Sequence, residues 1–141
     1  MIRFIYIGSN YDREKEIVLE HIFQITRQLL SLPEKLEVEF RQLNYNVYGE
    51  TLLDRRFKNR IRLHESLDKK ETIVPFVHEL LHLNQIHLGR LVGRRNGCFV
   101  FDKRIYHVSK NPTMEEWKNM PWEIDVANKE KKLLESVLGK I

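Results

Sequence analysis

The segment TIVPFVHELLHLNQIHL, residues 72–88, is the part of the chain that says most about its fold. Apolar residues recur at helical spacing throughout this segment, at Ile73, Val74, Val77, Leu80, Leu81, Leu83 and Leu88. Pro75 is compatible with a helix only in the first turn, and Gly89 is placed to end one. We therefore predict an α-helix over residues 72–88, the most buried helix of the chain.

The sequence before this helix predicts a strand, a helix and two further strands. Residues 2–7 are a largely apolar run that ends at Gly8 and is typical of a buried strand. Apolar residues then recur at helical spacing ahead of Pro33, at Val18, Ile22, Ile25 and Leu29. Apolar and polar side chains alternate over residues 36–41 and 61–64, which indicates two half-buried strands with one face toward the core.

A hairpin signal follows the helix. Asn96-Gly97 is a strong two-residue turn signal, because these residues readily adopt the left-handed backbone that tight hairpins need. Residues 90–95 and 98–103 flank it and are expected to pair as strands.

The C-terminal part of the chain predicts two more helices. Thr113 and Glu116 resemble a capping box for a short helix. Pro121 suits the first position of a last helix over residues 122–138. The order of the elements predicts an α+β fold with three main helices.

The composition fits one globular domain over residues 1–141. Hydrophobic residues make up 42% of the chain, and glycine (6) and proline (4) are few, which excludes collagen-like and disordered chains. A length of 141 residues lies in the usual range of a single domain.

The chain is mildly basic, with 24 Lys and Arg against 20 Asp and Glu. Two groups of cations stand out: Arg55, Arg56, Lys58, Arg60 and Arg62 in the first, and Arg90, Arg94, Arg95, Lys103 and Arg104 in the second. Alternation in the first group fits a solvated strand edge protected by charge. A small basic nucleic-acid-binding protein is therefore the less favoured interpretation.

Cysteine usage and the N-terminus favour a cytoplasmic protein without a membrane segment. Cys98 is the single cysteine, so the chain needs no oxidising compartment. Within a predicted strand it is better explained as a small buried hydrophobe than as a nucleophile. The apolar run over residues 2–7 is too short for a membrane span and lacks the cleavage site of a signal peptide.

The predicted buried helix carries His78-Glu79-Leu80-Leu81-His82, an H-E-x-x-H arrangement. Residues four apart lie on one helix face, so His78 and His82 can direct two imidazole nitrogens at one zinc ion. Glu79 is offset from that row and can reach a metal-bound water without binding the metal. The alternative is a helix face on which the three polar side chains contact only solvent and backbone.

A catalytic zinc site usually needs a third protein ligand. The downstream candidates are Asp102, His107, Glu115, Glu116, Glu123 and Asp125. Glu123 is favoured because it lies where a helix begins, on a rigid element near the positive end of the helix dipole. Asp125 and His107 stay open as alternatives.

On these residues the chain resembles the zincin metallopeptidases of the glutamate-ligand (gluzincin-like) type, in a minimal single-domain form. The resemblance rests on His78-Glu79-Leu80-Leu81-His82 and Pro121-Trp122-Glu123, and covers roughly residues 60–138. It implies a small twisted mixed sheet packed on the motif helix and on a C-terminal helix. It further implies that residues 59–65 form the upper rim of a cleft for an extended peptide.

The resemblance also implies a site and a reaction. Its zinc ligands would be His78, His82 and Glu123, and Glu79 would be the general base of peptide hydrolysis. Gluzincins usually carry an acid four residues after the glutamate ligand, where this chain has Ala127. Candidate donors to the developing oxyanion are Tyr48, Tyr106 and His107. The alternative within this class of site is a zinc-binding regulatory or interaction protein without turnover.

Overall fold

A mixed four-stranded sheet forms one part of the fold. In the computed structural model, which describes residues 1–53 and 59–141, its strands are β1 (Ile2–Tyr6), β2 (Leu36–Arg41), β3 (Gly49–Thr51) and β4 (Arg60–His64). Their order is β1-β2-β4-β3, with β1, β2 and β4 parallel and β3 antiparallel to β4. The predicted strands are confirmed, whereas β3 was not predicted.

In the described part of the chain, three long helices and one short helix accompany the sheet: α1 (Arg13–Leu29), α2 (Ile73–His87), α3 (Met114–Lys118) and α4 (Pro121–Leu138). The side chain of Asp12 caps α1 by accepting from the Lys15 amide. Thr113 and Glu116 form the predicted capping box of α3. Within residues 1–53 and 59–141, no helix is both long enough and apolar enough to cross a membrane. The α+β class is confirmed.

The main core lies between one face of this sheet and the helices. Val38 pairs with Ile61 and Phe40 with Leu63 across β2 and β4, and all four side chains are fully buried. They pack in one cluster with apolar side chains of α1, α2 and α4, including Phe23, Phe76, Leu80 and Val126. Helix α2 thus has apolar neighbours on several sides, as its composition predicts.

The opposite face of the sheet carries charged side chains that form ion pairs with one another. Arg60 contacts Glu37 and Glu39 at 3.0 Å each, and Arg62 contacts Glu50 at 3.3 Å. The prediction that the first cationic group marks a strand edge is wrong for residues 60–62, because β4 lies between β2 and β3. Arg55, Arg56 and Lys58 lie outside the described residues.

A second, antiparallel sheet contains β5 (Leu91–Gly93), β6 (Cys98–Phe101) and β7 (Arg104–His107), in that order. The predicted hairpin is confirmed, with φ of 61° at Asn96 and 69° at Gly97. The second predicted strand ends at Phe101 rather than at residue 103, since Asp102 and Lys103 form a turn with φ of 47° and 70°. Neither residue is glycine, so the sequence carries only a weak signal for that turn.

An aromatic cluster joins the second sheet to the start of α4. Trp122 is 1% exposed and contacts the rings of Phe99, Phe101, Tyr106 and Trp117 at centroid distances of 4.9 to 6.3 Å. Burial of a tryptophan among aromatic rings removes a large apolar area from water. The contacts therefore fix the first turn of α4, where Glu123 lies.

Candidate metal centre

Two helices bring three predicted ligands together. His78 and His82 lie one turn apart on α2, with their ring centroids 5.0 Å apart. Glu123, in the first turn of α4, places Oε1 3.3 Å from Nε2 of His78 and Oε2 2.7 Å from Nε2 of His82. One possible ligand atom from each residue lies within 4.8 Å of the other two.

The start of α4 determines where the Glu123 carboxylate lies. Pro121 begins the helix with a suitable φ and without an amide hydrogen that would need a partner. The Glu123 amide donates to the carbonyl of Met120 at 3.0 Å, which closes the first turn. With Trp122 buried beside it, the carboxylate sits on a rigid element next to α2.

The other two ligand candidates lie elsewhere. Asp125 accepts from Gln85 at 2.9 Å and from Arg90 at 3.2 Å, and it is not a member of the three-residue cluster. His107 is exposed on β7. Of the three alternatives for the third ligand, Glu123 is the residue that the fold brings to the histidines.

In each histidine, the ring nitrogen that points away from Glu123 also has a partner. Nδ1 of His78 lies 3.3 Å from Oε1 of Glu130, and Nδ1 of His82 lies 2.9 Å from Oε1 of Gln85. Such partners orient an imidazole and determine which ring nitrogen is left for a metal. In both histidines, Nε2 is the nitrogen that faces Glu123.

Gln85 and Glu130 were missed by the sequence analysis. Gln85 is 1% exposed, and its amide nitrogen donates to the Trp122 carbonyl and to Asp125, each at 2.9 Å. Because both of those groups are acceptors, the amide nitrogen has to face them, and the amide oxygen therefore faces His82. Glu130 lies two helical turns after Glu123, so both side chains lie on the same face of α4. That spacing is the sequence feature that could have indicated Glu130.

The carboxylate and the imidazoles shift one another's protonation. Burial opposes the charged form of His78, but its hydrogen bond with Glu123 and the charges of Glu79, Glu123 and Glu130 raise its pKa to about 9. The same balance raises the pKa of His82. Burial would raise the pKa of Glu123, yet hydrogen bonds from both histidines lower it to about 2. The three groups therefore form a strongly coupled ionic cluster in the metal-free chain.

Because these three groups are coupled, metal-free protein is expected to become less stable as the pH rises and the histidines lose their protons. The His78 pKa is raised from 6.5 to about 9, so its contribution is complete below 6.5 and is lost towards 9. The Glu123 pKa is lowered from 4.5 to about 2, so its contribution is complete above 4.5 and is lost towards 2. Urea unfolding of metal-free wild type should thus show a lower midpoint at about pH 9 than at about pH 6.

Glu123→Gln is the matched variant for that measurement. It keeps the size of the side chain but removes the carboxylate that both histidines contact and that contributes to their raised pKa values, so its midpoint should fall less over the same pH range. Equal pH dependence in the two proteins would show that the pairing in the cluster does not contribute to stability.

Glu79 lies beside the cluster of His78, His82 and Glu123 and is not a member of it. Its side chain is buried, with 6% of the residue exposed, and Oε1 accepts from the Thr51 hydroxyl at 2.8 Å. Burial raises the pKa of its carboxyl, while the charges of His82 and His78 and the Thr51 hydrogen bond partly offset that rise. A buried carboxylate with a raised pKa is suited to proton transfer near neutral pH.

The three clustered side chains and Glu79 line one cleft with a volume of about 620 Å³. Residues 46–51 form one wall, and apolar side chains such as Ile86, Phe99 and Trp117 line another part. Tyr48 lines the cleft, whereas the other two oxyanion candidates, Tyr106 and His107, are not among the described residues that line it.

The strand at the rim of the cleft is β3 and not β4. The expectation that residues 59–65 form the rim is wrong, because β3 pairs on the outer side of β4 and separates it from the cleft. Among the described strands of this sheet, β3 is the edge strand next to α2.

Comparisons of the chain with protein-family models, with curated proteins and with solved structures found no match in any of the three. The chemistry of the cleft is therefore inferred from its own side chains, namely two imidazoles, the buried carboxylate of Glu79, the partly buried carboxylate of Glu123 and the strand that borders them.

Proposed function

We propose that this chain is a zinc-dependent peptidase of the gluzincin-like zincin type. In this proposal His78, His82 and Glu123 hold the zinc, and Glu79 is the general base. The single observation that carries it is the approach of one carboxylate oxygen and two imidazole nitrogens to within 4.8 Å in the wall of a cleft. A separate buried carboxylate, that of Glu79, lines the same cleft.

The donor set fits zinc with a free coordination position. Zinc accepts imidazole nitrogen and carboxylate oxygen, and catalytic sites usually offer three protein ligands with the fourth position left to water or substrate. The contacts of Nδ1 with Glu130 and Gln85 leave Nε2 of each histidine for the metal. Structural zinc sites, by contrast, are usually closed by four protein ligands.

Zinc held there would supply Lewis-acid chemistry, which lowers the pKa of water and polarises a carbonyl. Glu79 accepts a proton from the attacking water at its carboxylate and later donates it to the leaving amine nitrogen. The burial that raises the pKa of Glu79 makes it a stronger base than an exposed carboxylate. Tyr48 lines the cleft and is the favoured donor to the oxyanion among the three candidates.

Among the described strands β3 lies at the edge of its sheet, and this edge supports an extended peptide as the substrate. The Tyr48 carbonyl accepts from the His64 amide of β4 at 2.9 Å, and the Leu52 amide donates to the Arg60 carbonyl of β4 at 3.0 Å. Because residues of an antiparallel strand alternate, the backbone groups of Gly49 and Thr51 point to the other side. A peptide added at that edge would run along the cleft, in the manner of strand addition to a sheet.

Hydrolysis by the zinc-loaded protein tests this function. Wild-type protein is incubated with a mixture of peptides of varied sequence, and products are identified by mass spectrometry. We expect cleavage that stops when a chelator removes zinc and returns when zinc is added. Zinc binding without cleavage would instead favour a non-catalytic zinc-binding protein, and cleavage by the metal-free protein would contradict the mechanism.

A further inference from the structure

The edge strand β3 contacts Glu79 through two of its three residues. Gly49 and Thr51 are two positions apart, so they face the same side of the sheet, which is the side of α2. Gly49 lies against the Glu79 side chain, and the Thr51 hydroxyl reaches its carboxylate. Both contacts join a strand and a helix that are 28 to 30 residues apart in the chain.

The Thr51 hydroxyl lies close to two acceptor oxygens of Glu79. Oγ1 lies 2.8 Å from Oε1 of Glu79 and 3.1 Å from the Glu79 backbone carbonyl oxygen. The hydroxyl has one hydrogen, and the shorter distance assigns it mainly to Oε1 of the side chain. Threonine is β-branched and has restricted side-chain rotation, so it is a stiff support for such a contact.

Gly49 provides the space that the Glu79 side chain occupies. A Cβ atom at position 49 would lie 3.1 Å from Cγ of Glu79 and 3.2 Å from Cδ2 of Leu63. Both distances are shorter than ordinary van der Waals contact between carbon atoms. Gly49 does not have a positive φ, so the need for a glycine comes from the close approach and not from the backbone conformation.

We propose that Thr51 is a positioning residue for Glu79 and that Gly49 is required to seat the same side chain. This inference rests on the proposed peptidase function. The hydroxyl holds Oε1, and Oε2 is then the oxygen that takes the proton from the attacking water. The proton leaves with the amine, so the carboxylate returns to its starting form with Thr51 still bound.

The arrangement also links the base to the substrate. Gly49 and Thr51 direct their backbone groups to the side of β3 away from β4, which no other described strand covers, and their α2-facing sides to Glu79. A peptide paired at that edge is thereby held in register with the carboxylate beneath it. A three-residue strand would set both the position of the scissile bond and the position of the base.

Three variants test the proposal with a peptide that the zinc-loaded wild type cleaves. Thr51→Val keeps the shape but removes the hydroxyl, and we expect kcat to fall about tenfold or more while KM changes less than about threefold. Thr51→Ser restores a hydroxyl and should recover most of the lost kcat. Gly49→Ala should also lower kcat, because its Cβ would lie 3.1 Å from Cγ of Glu79 and we expect that side chain to shift by a few tenths of an ångström.

Zinc affinity and a matched control separate positioning from damage to the fold. Thr51 does not belong to the three-residue cluster, so Thr51→Val should bind zinc as the wild type does. Thr26→Val removes another buried hydroxyl that donates to a backbone carbonyl, in α1 at 2.7 Å, and should leave kcat unchanged.

Each outcome decides between the claims. Wild-type kcat in Thr51→Val, or equal loss in Thr51→Val and Thr51→Ser, would overturn the role of Thr51 while leaving the peptidase proposal in place. Absence of cleavage by the zinc-loaded wild type would overturn the peptidase proposal, and the role of Thr51 with it.

Discussion

Glu79→Gln is expected to abolish peptide hydrolysis while the zinc stays bound. The amide has nearly the size of the carboxylate and can still accept from Thr51, so the geometry of the cleft should be kept. It cannot accept the proton of the attacking water, and loss of a general base lowers kcat by about a hundredfold to ten-thousandfold. Hydrolysis rate and zinc content are measured on the same preparation.

The matched control for this variant is Glu135→Gln. Glu135 is exposed on α4 and does not line the cleft, so the same chemical change there should leave hydrolysis unaffected. Activity of Glu79→Gln close to that of the wild type would remove Glu79 from the mechanism. Loss of zinc along with activity would mean that Glu79 supports the metal instead of the proton transfer.

His82→Ala is expected to release the zinc. His82 contributes one of three ligand atoms, and its Nε2 lies 2.7 Å from the Glu123 carboxylate. Loss of a residue that merely supports a ligand weakens metal binding about 10–100-fold, so loss of a ligand itself should exceed about 100-fold. Competition with a chromophoric chelator measures the change in zinc affinity.

His87→Ala is the control, because His87 is the last residue of the same helix. It is exposed and lies outside the ligand cluster, so zinc affinity should equal that of the wild type. Equal weakening in both variants would indicate binding by scattered surface histidines. Full zinc affinity in His82→Ala would contradict the ligand set.

Patterns that depend on neighbours in sequence predicted most of the fold. Strands β2 and β4 alternate because one face meets the core, and α2 is apolar because it packs against the sheet and other helices. The turn at Asn96-Gly97 needs left-handed backbone that these residues adopt easily. In each case the sequence signal is local, because a period or a turn dipeptide can be recognised from neighbouring residues alone.

Strand β3 could not be predicted for the opposite reason. Gly49-Glu50-Thr51 has no apolar alternation, and glycine weakens a strand, so nothing local favours it. Strand β3 forms because it pairs with β4, and the close approach of α2 explains the glycine at position 49. Strand β7 similarly depends on a turn without glycine.

The candidate site likewise contains residues that local sequence predicts and residues that only the folded structure brings together. His78 and His82 were predicted as a pair because helical geometry alone puts them on one face. Glu123 was predicted as their partner from its place at a helix start, and α4 brings it there. Gln85, Glu130 and Thr51 were missed because their contacts arise only when α2, α4 and β3 come together.

Metal content is the most direct measurement on the central claim that these three side chains hold zinc. Elemental analysis is applied to zinc-reconstituted, desalted wild type and to His78→Ala and Glu123→Ala. The structure leads us to expect about one zinc per chain in the wild type and loss of that zinc in both variants. Wild type without bound zinc, or Glu123→Ala with its full zinc content, would contradict the claim.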